Sequence, residues 1–429
     1  MTVLPRLAVV PILAPLRHRS YRLFFFGQLV SLIGSWMQTV GQAWLVLTLT
    51  NSPFLLGVIS ALQWSPVLVC SLAAGVVVDR LPKRLLIVVT QSLFLVLALA
   101  LGLLAISGTV RFWHVAVLAT MLGIVNAFDT PARQAFVVEM VGGVEDLPAA
   151  IALNSSIFNG ARLIGPGLAG LVIAAWGVGI AFLANAASFL AVIAALLAIR
   201  EDGRVEVAPG ADLLLQMREG VAFIRGSPRV LWVLATLGVL SFFAMNFNVF
   251  VPVLARQQLH LQASGFGLLM AAQGSGALIG SLLVAASGHR GPQHAYLLWG
   301  PVLLCGAQLL LPIAFHAVPA GALLFAAGAG MIMFTATANS TVQLETPDAL
   351  RGRVMSTYAL VFSGVSPFAS LLMGAIVDGW GLAAGFLIAG GAGLAGTFGV
   401  YALVRARQRH ADASAARASA LAEPAEDAR

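Results

Sequence analysis

The chain has 429 residues, 59% of them hydrophobic and 10% charged, with a mean hydropathy of +0.94. A water-soluble domain carries about 25% charged residues, so these charges are too few to cover a surface facing water. A soluble enzyme, a disordered chain and a nucleic-acid reader are excluded as first readings, and the lipid bilayer is left as the main solvent.

The net charge of +7 comes from 24 basic and 17 acidic residues. The bases cluster between apolar runs, which reads as membrane topology. Cys70 and Cys305 lie inside apolar runs with neither disulfide nor metal spacing, and read as packing residues. No His or Cys cluster has ligand spacing, so neither a metal nor a cofactor is expected.

In chain order, the first 16 residues hold one base, Arg6, and three prolines, with no cleavage site ahead of the basic run 17–22. They read as a cytoplasmic lead-in. Apolar runs long enough to cross the hydrocarbon core, about 20 residues each, then recur at 23–49, 55–78, 85–106, 113–137, 147–175, 180–199, 231–254, 265–287, 296–314, 320–343, 354–377 and 383–404. They lack strand alternation, and twelve membrane helices are expected. With the N-terminus inside, all the bases except Arg111, Arg256 and Arg162 fall on the cytoplasmic side. Both termini are therefore placed in the cytoplasm.

The longest loop, 200–229, divides the spans into an N-terminal bundle, 1–199, and a C-terminal bundle, 230–409. Within it, 213–225 has helical apolar spacing and predicts an amphipathic helix on the membrane face. The Ala-rich charged tail 410–429 is expected to be disordered. Two faint repeats relate the halves. Residues 78–84 match 288–294, and 170–177 match 374–381, the latter pair ending Trp176-Gly177 and Trp380-Gly381. Such repetition suggests a secondary transporter.

Charges inside or beside the spans carry the candidate chemistry. Between spans two and three, Gly75 precedes Asp79-Arg80-Leu81-Pro82-Lys83-Arg84. This turn presents one acid and three bases to neighbouring helix ends, where Asp79 suits the positive end of a helix. The plainer reading is a positive-inside loop. Asp129 and Arg133, four residues apart, share a helix face and can pair. Asp129 and Glu139 are candidate proton carriers, but the favoured reading joins them with Arg80 in a cytoplasmic charge latch. Glu345 with Arg351 and Arg353 repeats that arrangement in the second half.

Arg162 lies near mid-membrane by helical rise. A lone charge there costs at least about 2.5 kcal/mol, so it must face a cavity or an acid. Two readings stand: contact with a polar or anionic substrate group, or a structural pair with Asp129 or Glu139. Polar stripes mark cavity faces: Gln28, Ser31, Ser35, Gln38 and Gln42 in span one, and Ser155 and Asn159 beside Arg162 in span five. Span seven carries Asn246 and Asn248 among Phe242, Phe243 and Phe247, which suits a broad amphipathic ligand. Span ten carries Thr335, Asn339 and Gln343. The alternative for each is an interhelical hydrogen bond. There is no phosphate-binding P-loop, so direct ATP drive is unsupported.

The 75–84 segment resembles the signature of the major facilitator superfamily, with Pro82 where glycine is usual. Gly165-Pro166-Gly167-Leu168-Ala169-Gly170 resembles the Gly-Pro-x-x-Gly-Gly motif of its exporters and antiporters, with Ala169 replacing one glycine. Segments 128–136, 152–155 and 351–356, with Glu139 and Ser366-Pro367, are similar to the branch that holds enterobactin exporters and macrolide efflux pumps. The resemblance implies an all-α polytopic fold of twelve transmembrane helices in two pseudo-symmetric six-helix bundles, with spans one, four, seven and ten lining the pathway. It implies a cytoplasmic latch that closes in the outward-open state. It implies export of a small amphipathic molecule, a siderophore or drug, by proton antiport and alternating access. The expected protein is a monomer in the bacterial inner membrane, not an enzyme, whose partners are the bilayer, protons and a small-molecule substrate. An importer or lipid transporter of the same fold is the nearest alternative, and a non-transporting sensor or scaffold the next.

Overall fold

A computed structural model describes residues 13–141, 146–202, 213–288 and 291–422. The lead-in 1–12, the polar stretch 203–212, Arg290 and the tail from 423 lie outside the described residues, as do the side chains of 71–73, 76, 79, 213–217 and 407–422. The expectations placed on the Asp79 side chain and on 423–429 therefore fall outside them, whereas 410–422 of the tail, expected to be disordered, continues the last helix.

The described residues are almost wholly helical: α1 Arg19–Thr50, α2 Pro53–Arg80, α3 Lys83–Ile106, α4 Phe112–Met140, α5 Leu147–Trp176, α6 Val178–Ala198, α7 Leu213–Gly226, α8 Pro228–Phe243, α9 Phe247–Val253, α10 Ala263–Ser287, α11 His294–Leu310, α12 Ala317–Glu345, α13 Asp348–Ala359 and α14 Ser366–Ala422. Local chemistry sets the boundaries. Asn51 ends α1 in the left-handed conformation, with φ 54°, which Asn tolerates well. Ser52 caps α2 by accepting from Leu55 N, and Pro53 occupies its first position, where a missing N–H does no harm. Leu81 is extended, with ψ 151°, as the residue before a proline must be.

Eleven of the described helical stretches are long and apolar enough to cross a membrane, not the twelve expected. The expected spans eleven and twelve fall together in one stretch, Asp348–Ala406. That stretch is broken at Gly381, with φ 84° and ψ 164°. Gly177, which separates α5 from α6, has φ 85° and ψ 165°. The two Trp-Gly repeats thus form the same turn, in a conformation open almost only to glycine.

Span seven also departs from expectation. It breaks into α8 and α9 because Asn246 turns back on the chain. Its Nδ2 donates to the carbonyls of Phe242 (2.8 Å) and Phe243 (3.3 Å), at a backbone ψ of 42° that no helix holds. Pro252 then removes a helical donor, and the chain widens into a π turn over Leu254–Gln258.

Two groups of helices emerge from the packing. In the first, α1 packs on α5 and α6, α3 on α4 and α6, and α2 on α4. In the second, α12 packs between α10 and α11, and α14 on α8 and α11. The groups meet along two seams, α5 with α10 and α2 with α14. Glycine makes both possible. A Cβ on Gly267 of α10 would lie 2.5 Å from Pro166 O and 2.8 Å from Gly170 Cα. A Cβ on Gly374 of α14 would lie 2.9 Å from Pro53 O. Without water to drive apolar surfaces together, close backbone approach is what holds membrane helices.

Candidate functional site

The charged turns gather at one end of the helices, here the basic end, and the ion pairs among the described residues there each stay within one group of helices. Lys83, fully buried, meets Glu139 at 3.1 Å. Asp129, also fully buried, meets Arg133 at 2.6 Å and accepts from Thr90 (2.7 Å) and Gln91 (2.9 Å). Arg84 donates to the carbonyls of Leu196 (2.8 Å) and Leu197 (3.2 Å), satisfying orphan acceptors at the end of α6. Ser20 donates to both oxygens of Glu201. Burial alone would raise the Glu201 carboxyl, but Ser20, the backbone N–H groups of Arg200 and Glu201 and the charge of Arg84 together hold it below its usual pKa.

The expected latch is therefore rearranged. Asp129 and Glu139 pair with Arg133 and Lys83, whereas Arg80 is exposed and makes no ion pair among the described residues. In the second group Glu345 pairs with Arg229 at 2.6 Å, not with Arg351 or Arg353. The reason is that a new helix, α13, begins at Asp348 and carries both arginines. Arg351 reaches Asp348 one turn back at 2.5 Å, and Arg353 reaches Glu219 on α7. A Cβ on Gly75 would touch nothing within 4 Å, so packing does not require glycine there.

Contacts across the seams lie elsewhere. At the opposite end, Ser52 Oγ donates to Asp378 Oδ1 at 2.9 Å. Arg256 donates to Thr48 Oγ1 at 2.9 Å and sits over the Trp44 ring at 5.5 Å, while Trp44 stacks on Phe266 at 5.9 Å. Among the described residues, no side-chain hydrogen bond or ion pair joins the two groups at the basic end. Among the described residues, the side-chain ties between the two groups thus lie at the far end and at Arg162, and not at the basic end.

Arg162 stands midway along α5, 15 residues past Leu147 and 14 before Trp176. Its guanidinium carbon lies 5.7 Å from the Trp36 ring centre on α1, a cation–π distance. Its Nη2 is 3.9 Å from Met331 Sδ on α12, so it reaches across the seam. Phe158, one turn earlier on α5, meets Trp36 edge to face at 5.8 Å. Among the described residues no carboxylate pairs with Arg162. The structural pair with Asp129 or Glu139 is excluded here, since both acids are engaged elsewhere.

The polar stripes divide. Gln38, buried, accepts from Asn185 of α6 at 2.5 Å, and Gln42 donates to Gln63 of α2 at 3.1 Å; both are interhelical ties. Ser35 bonds back to Ser31 O, and Asn159 to Ser155 O. Gln28 is buried with an unpartnered Oε1. Asn246 is spent on the break between α8 and α9, beside a half-buried Phe243. Gln343 donates to Asn339 Oδ1 at 2.5 Å, and Thr335 O receives the Tyr358 hydroxyl at 3.1 Å. Gln38 and Asn246 are thus both engaged by hydrogen bonds within the fold. Gly165 packs on α1, where its Cβ would lie 2.5 Å from Trp36 Cβ, and Gly170 packs on α10, 3.0 Å from Ala263 O. Within the antiporter-like motif, Pro166 and Gly170 thus belong to the α5–α10 seam, and Gly165 to the α1–α5 contact. Trp36, Met331, Arg229 and Asp378 were not singled out from the sequence. Asp378 is the one acid of the sequence that falls at the far ends of the expected spans, a signal that isolates it.

The chain matches the family described as transmembrane secretion effector over residues 10–428. The staphyloferrin A transporter of Staphylococcus aureus is 26% identical over 374 residues, 86% of this chain and 92% of that protein. The multidrug efflux pump Tap of Mycolicibacterium fortuitum is 27% identical over 381 residues, 85% of this chain and 91% of that one. The solved nucleoside transporter NupG is similar with a TM-score of 0.68 at 14% identity, over 90% of this chain and 98% of that chain, a likeness of fold.

Proposed function

This chain belongs to the transmembrane secretion effectors of the major facilitator superfamily, and from that premise we propose that it exports a small amphipathic molecule by alternating access coupled to proton entry. It is a multi-pass membrane transporter with efflux-type relatives. In this reading the basic end faces the cytoplasm of a bacterium, as the positive-inside rule requires. The shared Trp-Gly turns make α14 two crossings, giving twelve in all. Residues 1–199 and 230–409 move as two bodies about the α5–α10 and α2–α14 seams, with one chain sufficient.

The observation that carries the reading is the asymmetry of the seam. Ser52, Asp378, Thr48 and Arg256 tie the far end across the two groups, while the ion pairs of the basic end, among the described residues, stay within them. A cargo enters from the cytoplasm in this state. Closing the basic end and releasing the far end then delivers it outside. Gly75, Asp79 and Arg80 supply the cytoplasmic latch of the other state, and the exposed Arg80 is free to engage it. Cargo of the siderophore or drug class follows from the names of the relatives.

Inside-out membrane vesicles test direction and coupling together. With an acidic interior, a panel of dyes, macrolides and siderophores is offered outside. Uptake of at least one compound, abolished by a protonophore, is expected. Uptake of none, or uptake indifferent to the gradient, refutes proton-coupled export.

A further inference from the structure

We propose that Arg162 is the anchor for an anionic group on the cargo, so that the preferred substrate carries a carboxylate beside an aromatic or apolar body. This rests on the transport reading and names its substrate class. A guanidinium offers five N–H donors in a planar fork that matches a carboxylate two by two. At the middle of α5, Arg162 spends one nitrogen on Met331 Sδ at 3.9 Å, a weak acceptor. It has no ion pair among the described residues, and the two acids expected as its partners, Asp129 and Glu139, are committed to Arg133 and Lys83.

Such a charge at mid-membrane calls for a partner of opposite sign, backbone carbonyls or water in a cavity, and the Trp36 ring stabilises the charge without neutralising it. The surroundings suit an organic anion better than a bare ion. Trp36 and Phe158 form an aromatic wall beside the charge, and Met331 adds a deformable apolar one. The backbone of Arg162 is also held: a Cβ on Gly274 of α10 would lie 2.9 Å from its carbonyl oxygen. The next residue back on α10, Gln273, is buried, with an Nε2 that has no hydrogen-bond partner. Both groups of helices therefore converge here, and an anion bound at Arg162 senses their relative position.

The test uses two probes of one skeleton, dansyl-β-alanine, a carboxylate, and dansylaminoethyl-trimethylammonium, a cation. Binding to the full-length protein in nanodiscs is read by tryptophan-sensitised dansyl emission. The wild type is expected to bind the carboxylate at least about tenfold more tightly than the cation. Arg162→Gln is expected to abolish that preference, while Arg162→Lys retains part of it. Equal binding of the two probes, preference for the cation, no binding of the carboxylate at millimolar concentration, or an unchanged preference in Arg162→Gln overturns the proposal. Export is scored separately in the inside-out vesicles. A protein that binds the carboxylate and moves nothing refutes export alone, and one that exports only cations refutes the anchor alone.

Discussion

Arg133→Ala is expected to lower folding stability by about 3–5 kcal/mol, the loss that follows when one partner of a buried ion pair is removed. Asp129 is fully buried, and Arg133 supplies its compensating charge at 2.6 Å. Thr90 and Gln91 remain as donors, but neither is charged. Thermal unfolding in detergent measures the loss. The discriminating control is the double variant Asp129→Asn with Arg133→Gln, which removes both charges and recovers most of the stability. If the single variant unfolds like the wild type, Arg133 does not supply the compensating charge that lets Asp129 stay buried on α4, where Thr90 and Gln91 of α3 bond to it.

Gly267→Leu is expected to reduce transport at least about tenfold. The added Cβ would sit 2.5 Å from Pro166 O and 2.8 Å from Gly170 Cα. These are backbone atoms, which cannot rotate away, so α5 and α10 must part. Overpacking of this kind typically costs about 1–3 kcal/mol, which biases a two-body equilibrium by about five- to 150-fold, and the tenfold expectation corresponds to about 1.4 kcal/mol. The cost falls on the state with the far end shut. Gly167→Ala is the matched control, because its Cβ lies 3.8 Å from Ala271 Cβ, an ordinary contact. Transport by Gly267→Leu at the wild-type rate contradicts the seam.

Much of this architecture was legible in the sequence, and the reason is physical. A membrane helix must satisfy its own backbone, so its length and apolarity are written locally. The repeat ending in Trp-Gly was equally local, and Gly177 and Gly381 do adopt one conformation. Arg162 was visible because charge at that depth is rare. The ion pairs were legible only where spacing decides them, as for Asp129 and Arg133. Which base meets Glu139 or Glu345 depends on how α3, α4, α8 and α12 rotate and tilt against one another. No spacing rule supplies that, and the expected partners of Glu345 were wrong for this reason. Span seven failed differently: Asn246 read as a ligand because an amide in an apolar run looks functional. Its actual work is to take the carbonyls of Phe242 and Phe243 and break the helix.

The central claim is that the far end must open for cargo to leave. Ser52 and Asp378 touch across the α2–α14 seam at 2.9 Å, so cysteines at both positions, Ser52→Cys with Asp378→Cys, place two thiols for a disulfide. Oxidation is expected to abolish uptake into inside-out vesicles, with reduction restoring it, and with each single cysteine variant still active. A cross-linked protein that transports as fast as the reduced one would contradict alternating access.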